Sequence, residues 1–68
     1  MKNFIKIQRT IKGLTQAALA EKVEVTRQTI NAIELEKYSP SAVLALKLAV
    51  VLEVKTDELF QLEEKDWY

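Results

Sequence analysis

The side chains capable of directional polar chemistry gather around two threonines. Thr26 precedes Arg27, Gln28, Thr29, Asn31 and Glu34, and Gln16 follows Thr15 one segment earlier. Guanidinium, amide and hydroxyl groups in this density suit recognition by hydrogen bonding rather than bond breaking. The 68 residues include neither His nor Cys, so imidazole and thiolate metal ligands and the Ser/His and Cys/His nucleophile pairs are all missing. No metal site, no cofactor and no enzymatic activity are expected. The adjacent acids Asp57 and Glu58 fall where they favour the first turn of a short helix, which is a structural duty.

Helices must carry these groups, and the sequence punctuates them clearly. Phe4, Ile7, Gln8 and Ile11 fall at helical spacing within residues 3–12, and Gly13 follows as a left-handed stop. Thr15 caps a second helix over 16–23, with Leu19 and Val23 inward and Ala17, Ala18 and Ala20 keeping its sides thin. Thr26 caps a third over 27–35, with Ile30 and Ile33 turned in and Arg27, Gln28, Asn31 and Glu34 on the other side. Pro40 forces an extended Ser39, and Ser41 caps a fourth helix over 42–52. That helix is apolar almost all round, which makes it central. Thr56 is the expected cap of a fifth, ending near Phe60-Gln61, and the tail 62–68 reads as a strand or as disordered chain. Helices two and three, joined by a short turn, have the spacing of a helix-turn-helix, and a generic structural hairpin has it too.

Length and charge set the outer limits. A chain this short holds one domain, and it buries only about 60% of the surface its unfolded form exposes, so oligomerisation would help it. Net charge is zero, but residues 1–52 hold eight basic and four acidic side chains while the last sixteen hold two and six. The two parts are therefore +4 and −4, and the fold has the means to present a basic face away from an acidic end. Without an apolar stretch of about 20 residues or a signal peptide, the expectation is a cytoplasmic protein with no membrane partner.

The run Leu14 to Glu34, followed by Lys37-Tyr38-Ser39-Pro40-Ser41, closely resembles the lambda-type phage-repressor (XRE) family of helix-turn-helix regulators. The likeness extends from Ile5 to Phe60, including Leu44-Ala45-Leu46-Lys47-Leu48-Ala49 and Asp57-Glu58-Leu59-Phe60, and is nearest to the short stand-alone members. It implies an all-α, compact five-helix lambda-repressor-like DNA-binding domain over 1–61, with the helix-turn-helix at about 16–35; the acidic aromatic tail over 62–68 lies beyond the likeness, and its aromatic residues, which a monomer would expose, make it a candidate dimerisation strand. Helix 27–35 would enter the major groove of double-stranded DNA, with Arg27, Gln28, Asn31 and Ala32 toward the bases. Arg suits guanine's paired acceptors, and Gln or Asn suits the acceptor–donor pair of adenine.

The resemblance further gives Gln16, Thr26, Thr29, Lys37 and Tyr38 to the phosphates, and pairs Arg9 with Glu34 as a structural lock. Two positions depart from the family: Glu24 and Leu35-Glu36 replace the usual turn glycines, at about 1 kcal/mol for each left-handed non-glycine residue. The reading that follows is a sequence-specific repressor acting as a homodimer on a palindromic operator. Val43, Leu46, Val50, Phe60, Leu62 and Trp67 would form its dimer interface, since they exceed what one small core needs. The alternatives are an antitoxin-type DNA binder whose main duty is an unidentified protein partner, and an interaction module that has lost DNA binding.

Overall fold

Three hydroxyls open three helices. In the computed structural model, which describes Met1–Tyr68, Thr15 Oγ1 accepts from Ala18 N–H at 3.0 Å, Thr26 Oγ1 from Thr29 N–H at 3.2 Å and Ser41 Oγ from Leu44 N–H at 3.2 Å. They begin α2 (Gln16–Lys22), α3 (Arg27–Glu34) and α4 (Ala42–Leu52). Around these lie β1 (Lys2–Asn3), α1 (Ile5–Ile11), α5 (Thr56–Leu59), β2 (Phe60–Gln61) and a 3-10 turn over Glu64–Trp67. The expected five-helix fold is present.

Four helix ends close by the same device. Gly13, Glu24, Glu36 and Glu53 have φ of 71°, 62°, 61° and 58°, and beyond each the next N–H reaches back to a carbonyl of the last turn. Leu14 donates to Arg9, Val25 to Ala20, Lys37 to Ala32 and Val54 to Ala49, at 2.8 to 3.1 Å. Carbonyls that the helix leaves orphaned are thereby satisfied. Three of the four turning residues are glutamates, each carrying about 1 kcal/mol of left-handed strain. Glu24 and Glu36 fulfil the expectation drawn from the missing glycines, and Glu53 adds a third.

The core runs from Ile5 to Phe60 and contains no buried polar residue. Leu44, Leu48 and Leu52 form the inward stripe of α4, against Leu19, Val23, Ile30 and Ile33 from the helix-turn-helix and Ile5 and Leu59 from the two ends. The 27–35 and 16–23 limits shorten by one residue each, because Leu35 and Val23 are C-caps.

Helix one differs more. Its expected stripe is wrong: Ile7 and Ile11 are 57% and 70% exposed, and Ile5 faces in. Asn3, expected inside the helix, lies in β1; its Nδ2 donates to Ile33 O at 2.8 Å and its Oδ1 accepts from Ile5 N–H. This anchor, with Arg9 one turn beyond Ile5, turns the Ile5–Arg9 face toward α3. A polar tether has overridden the apolar period.

The carboxyl end also corrects the sequence. Lys55, not Thr56, caps α5, and without a side-chain hydrogen bond. The strand is Phe60–Gln61, upstream of the tail, and it pairs antiparallel with Lys2–Asn3 of the same chain. Residues 62–68 hold no strand; they fold into the 3-10 turn, where Glu63 N–H donates to Asp66 Oδ2 at 2.7 Å. The Met1 ammonium donates to Asp66 Oδ1 at 3.1 Å, so the tail is fastened to its own N-terminus.

Candidate nucleic-acid interface

α3 projects from the body because only Ile30 and Ile33 are buried in it. Its outer face shows Arg27, Gln28 and Asn31 exposed, with Ala32 half-buried. Arg27 opens the helix and Asn31 follows one turn later, so the two lie along one face. Thr26 and Thr29 share a hydroxyl–hydroxyl bond of 3.0 Å at the start of the helix. One of those two hydroxyl hydrogens remains free for a phosphate. Lys37 and Tyr38 are exposed in the loop after α3, Tyr38 at 50%.

Charge on this face is unbalanced. Arg9, Lys12, Lys47 and Lys65 are in ion pairs, whereas neither Arg27 nor Lys37 has an acid within reach. Glu34, the one acid of α3, is occupied. Arg9 Nε donates to Glu34 Oε2 at 2.6 Å and Nη2 to Oε1 at 3.1 Å, with Nη1 on the Leu14 carbonyl at 3.3 Å. The pair joins α1 to α3 as expected. The hydrogen bonds that Arg9 donates to Glu34, against a smaller opposing effect of burial, hold the guanidinium above its ordinary pKa.

Gln16 opens α2, with its side chain engaged inside the protein. Its Nε2 donates to Asn31 Oδ1 and to Glu34 Oε1, each at 3.1 Å. An amide nitrogen carries two hydrogens, so both are used inside the protein and none is left for a phosphate. What Gln16 keeps for a phosphate is its backbone N–H at the start of α2. Arg9, Glu34, Gln16 and Asn31 form one continuous polar chain from α1 to the outer face of α3. Sequence reasoning found only its first link. The signal for the rest was the three-residue step from Asn31 to Glu34, which stacks them on one helix face.

The residues assigned to a dimer interface separate. Val43, Leu46 and Val50 are 64%, 57% and 76% exposed on α4 and line a groove of ≈ 400 Å³ with Lys22, Glu24, Lys47 and Val51. Leu62 and Trp67 are exposed on the tail. Phe60 is buried in the core as part of β2, which removes it from any interface of the folded chain. Sequence reading also missed two surface ion pairs, Lys12 with Glu53 at 2.7 Å and Lys47 with Glu24 at 3.5 Å. No cluster of His, Cys, Asp or Glu is arranged to hold a metal ion, and no helix is long and apolar enough to cross a membrane.

A helix-turn-helix family model matches residues 5–59. An uncharacterized HTH-type transcriptional regulator of Methanocaldococcus jannaschii is 47% identical over 66 residues, 97% of this chain and 100% of that protein. One from Bacillus subtilis is 46% identical over the same shares. Among solved structures, the restriction-modification controller protein C.AhdI from Aeromonas hydrophila superposes with a TM-score of 0.75 at 36% identity, covering 82% of this chain and 81% of that one.

Proposed function

The chain belongs to the lambda-type (XRE) helix-turn-helix family of DNA-binding transcriptional regulators, and on that premise we propose that it is a repressor binding a palindromic operator as a homodimer. α3 enters the major groove, with Arg27 and Gln28 on base edges and Asn31 and Ala32 one turn deeper. Backbone N–H groups at the start of α2, a hydroxyl of the Thr26–Thr29 pair, Lys37 and Tyr38 meet the phosphates. The observation that carries this reading is the pair of unpartnered cations, Arg27 and Lys37, flanking a helix whose one acid is neutralised from behind by Arg9.

The homodimer is supported by the apolar stripe Val43, Leu46 and Val50, exposed on the most hydrophobic helix of a chain too short to be generously stable alone. A two-fold pairing would set two copies of α3 about 34–36 Å apart, one turn of the duplex. Selection from random duplex DNA, followed by gel shift, tests the whole reading. The wild type should enrich a two-fold repeat. Arg27→Ala should relax preference at particular positions, while Lys37→Ala should weaken all sequences alike and lower the salt slope by about one. Val50→Glu should leave the fold intact by circular dichroism and shift the sedimentation mass to the monomer. No enrichment by the wild type, or equal losses from the Arg27 and Lys37 changes on specific and random DNA, would overturn it.

A further inference from the structure

Amide side chains read DNA by the order in which they present their oxygen and nitrogen, and in this protein that order is set from inside. The Glu34 carboxylate, held by two Arg9 hydrogen bonds, can only accept. The Gln16 atom facing it must therefore be the donor Nε2, and the same nitrogen's second hydrogen faces Asn31. Asn31 must answer with an acceptor, so its Oδ1 turns back toward α2 and its Nδ2 is left outward. The carboxylate thus removes the usual ambiguity of an amide flip at two successive residues.

We infer that Gln16 is a positioning residue that fixes Asn31 as a hydrogen-bond donor toward the major groove, so that Asn31 selects guanine instead of adenine. An asparagine reads adenine by accepting from N6–H and donating to N7 together. Here the accepting half is directed at Gln16, and what faces outward is an NH₂ group. Guanine offers two acceptors, N7 and O6, on its major-groove edge and no donor, which matches that presentation. The inference rests on the proposed placement of α3 in the groove, and it reverses the adenine preference that an unrestrained asparagine would have.

The test compares wild type, Asn31→Ala and Gln16→Met by selection from random duplex DNA, with circular dichroism confirming that each is folded. Gln16→Met keeps the length of the side chain and its packing but cannot hold the Asn31 amide. In the wild type one operator position should prefer guanine, and Asn31→Ala should erase that preference. Gln16→Met should move the same position toward adenine, changing the guanine-to-adenine ratio by at least about fivefold, the lower end of what one paired base contact discriminates. Any uniform loss of affinity in Gln16→Met would appear equally at every position and is separable from this shift. Adenine preference in the wild type at the Asn31-dependent position, no position that depends on Asn31, or an unchanged base ratio in Gln16→Met would each overturn the inference while leaving specific binding intact. Absence of any specific wild-type site would instead overturn the groove placement on which it rests.

Discussion

The joint between α1 and α3 and the joint between the N-terminus and the tail are both tied by charge, yet they are built differently. At the first, the Arg9 and Glu34 side chains are 15% and 6% exposed, with a bidentate geometry and further hydrogen bonds to Leu14 and Gln16. At the second, the Met1 ammonium meets Asp66 and Glu63, with the three groups 20% to 37% exposed. The second joint is the more open to water, although Glu63 Oε1 itself is shielded there. Where water is excluded, losing one partner strands the other; where it is not, the survivor is simply hydrated. The joint that positions α3 is the one the fold has made expensive to break.

Removing Glu34 should give the largest effect. Glu34→Ala should destabilise the domain by about 2–3 kcal/mol, since it leaves a half-buried guanidinium with only the Leu14 carbonyl as acceptor. Arg9→Ala should cost a similar amount. The double variant should cost less than the two together, with a coupling of roughly 0.5–3 kcal/mol by urea denaturation. Strict additivity would mean that this joint behaves like the exposed one, and the contrast between them would disappear.

A middle-sized effect of opposite sign comes from the turn after α3, whose Glu36 lies beside Glu63. Glu36 has φ of 61° and appears in no ion pair, unlike Glu24 and Glu53 at the corresponding helix ends. Glu36→Gly should therefore stabilise by about 0.5–1 kcal/mol, as left-handed strain is relieved and partly offset by glycine's greater unfolded freedom. Thermal denaturation in parallel with Glu24→Gly would show whether the Lys47–Glu24 pair compensates strain at that turn.

The smallest effect is confined to the tail. The Glu63 backbone N–H, then the Met1 ammonium, hold the Asp66 carboxyl below its ordinary 3.8, so its contribution is present above that value and is lost as pH falls through the lowered one. Asp66 in turn raises the Met1 ammonium above 8.0, so that contribution is present below 8.0 and is lost as pH rises through the raised value. Trp67, the only tryptophan, lies in this turn. Its fluorescence should change at both extremes while far-ultraviolet circular dichroism holds. A tail signal that moves only with global unfolding would make the two joints one cooperative unit.

How much of this was legible depended on whether the determinant was local. Thr15, Thr26, Ser41 and Gly13 announce helix ends by their own chemistry, and the Leu44-Leu48-Leu52 stripe announces the core. The face of α1 was not legible in its apolar period, because it is decided by Asn3 reaching Ile33 across 30 positions of chain; the distant Arg9–Glu34 pair came only from the family resemblance. Phe60 was read as a helix end and an interface residue because a two-residue strand has no alternation to detect, and only pairing with Lys2–Asn3 carries it into the core. Asn31 and Gln16 were legible as polar surface. Which way their amides point was not, since that depends on a carboxylate on a different turn.

The β1–β2 pairing carries a consequence for the order in which the chain folds. The α2 and α3 helices are neighbours in sequence and touch early at little entropic cost, whereas the bond from Met1 to Asp66 spans 65 positions and closes the chain almost into a ring. Long closures are slow, and a two-residue ladder offers little enthalpy until the surfaces beneath it are packed. The helix-turn-helix and its α4 support should therefore be native before the strands meet. Changes in β1 or β2 should then accelerate unfolding and leave the folding rate nearly untouched, so that the strand pair works as a late clasp on an already assembled helical body.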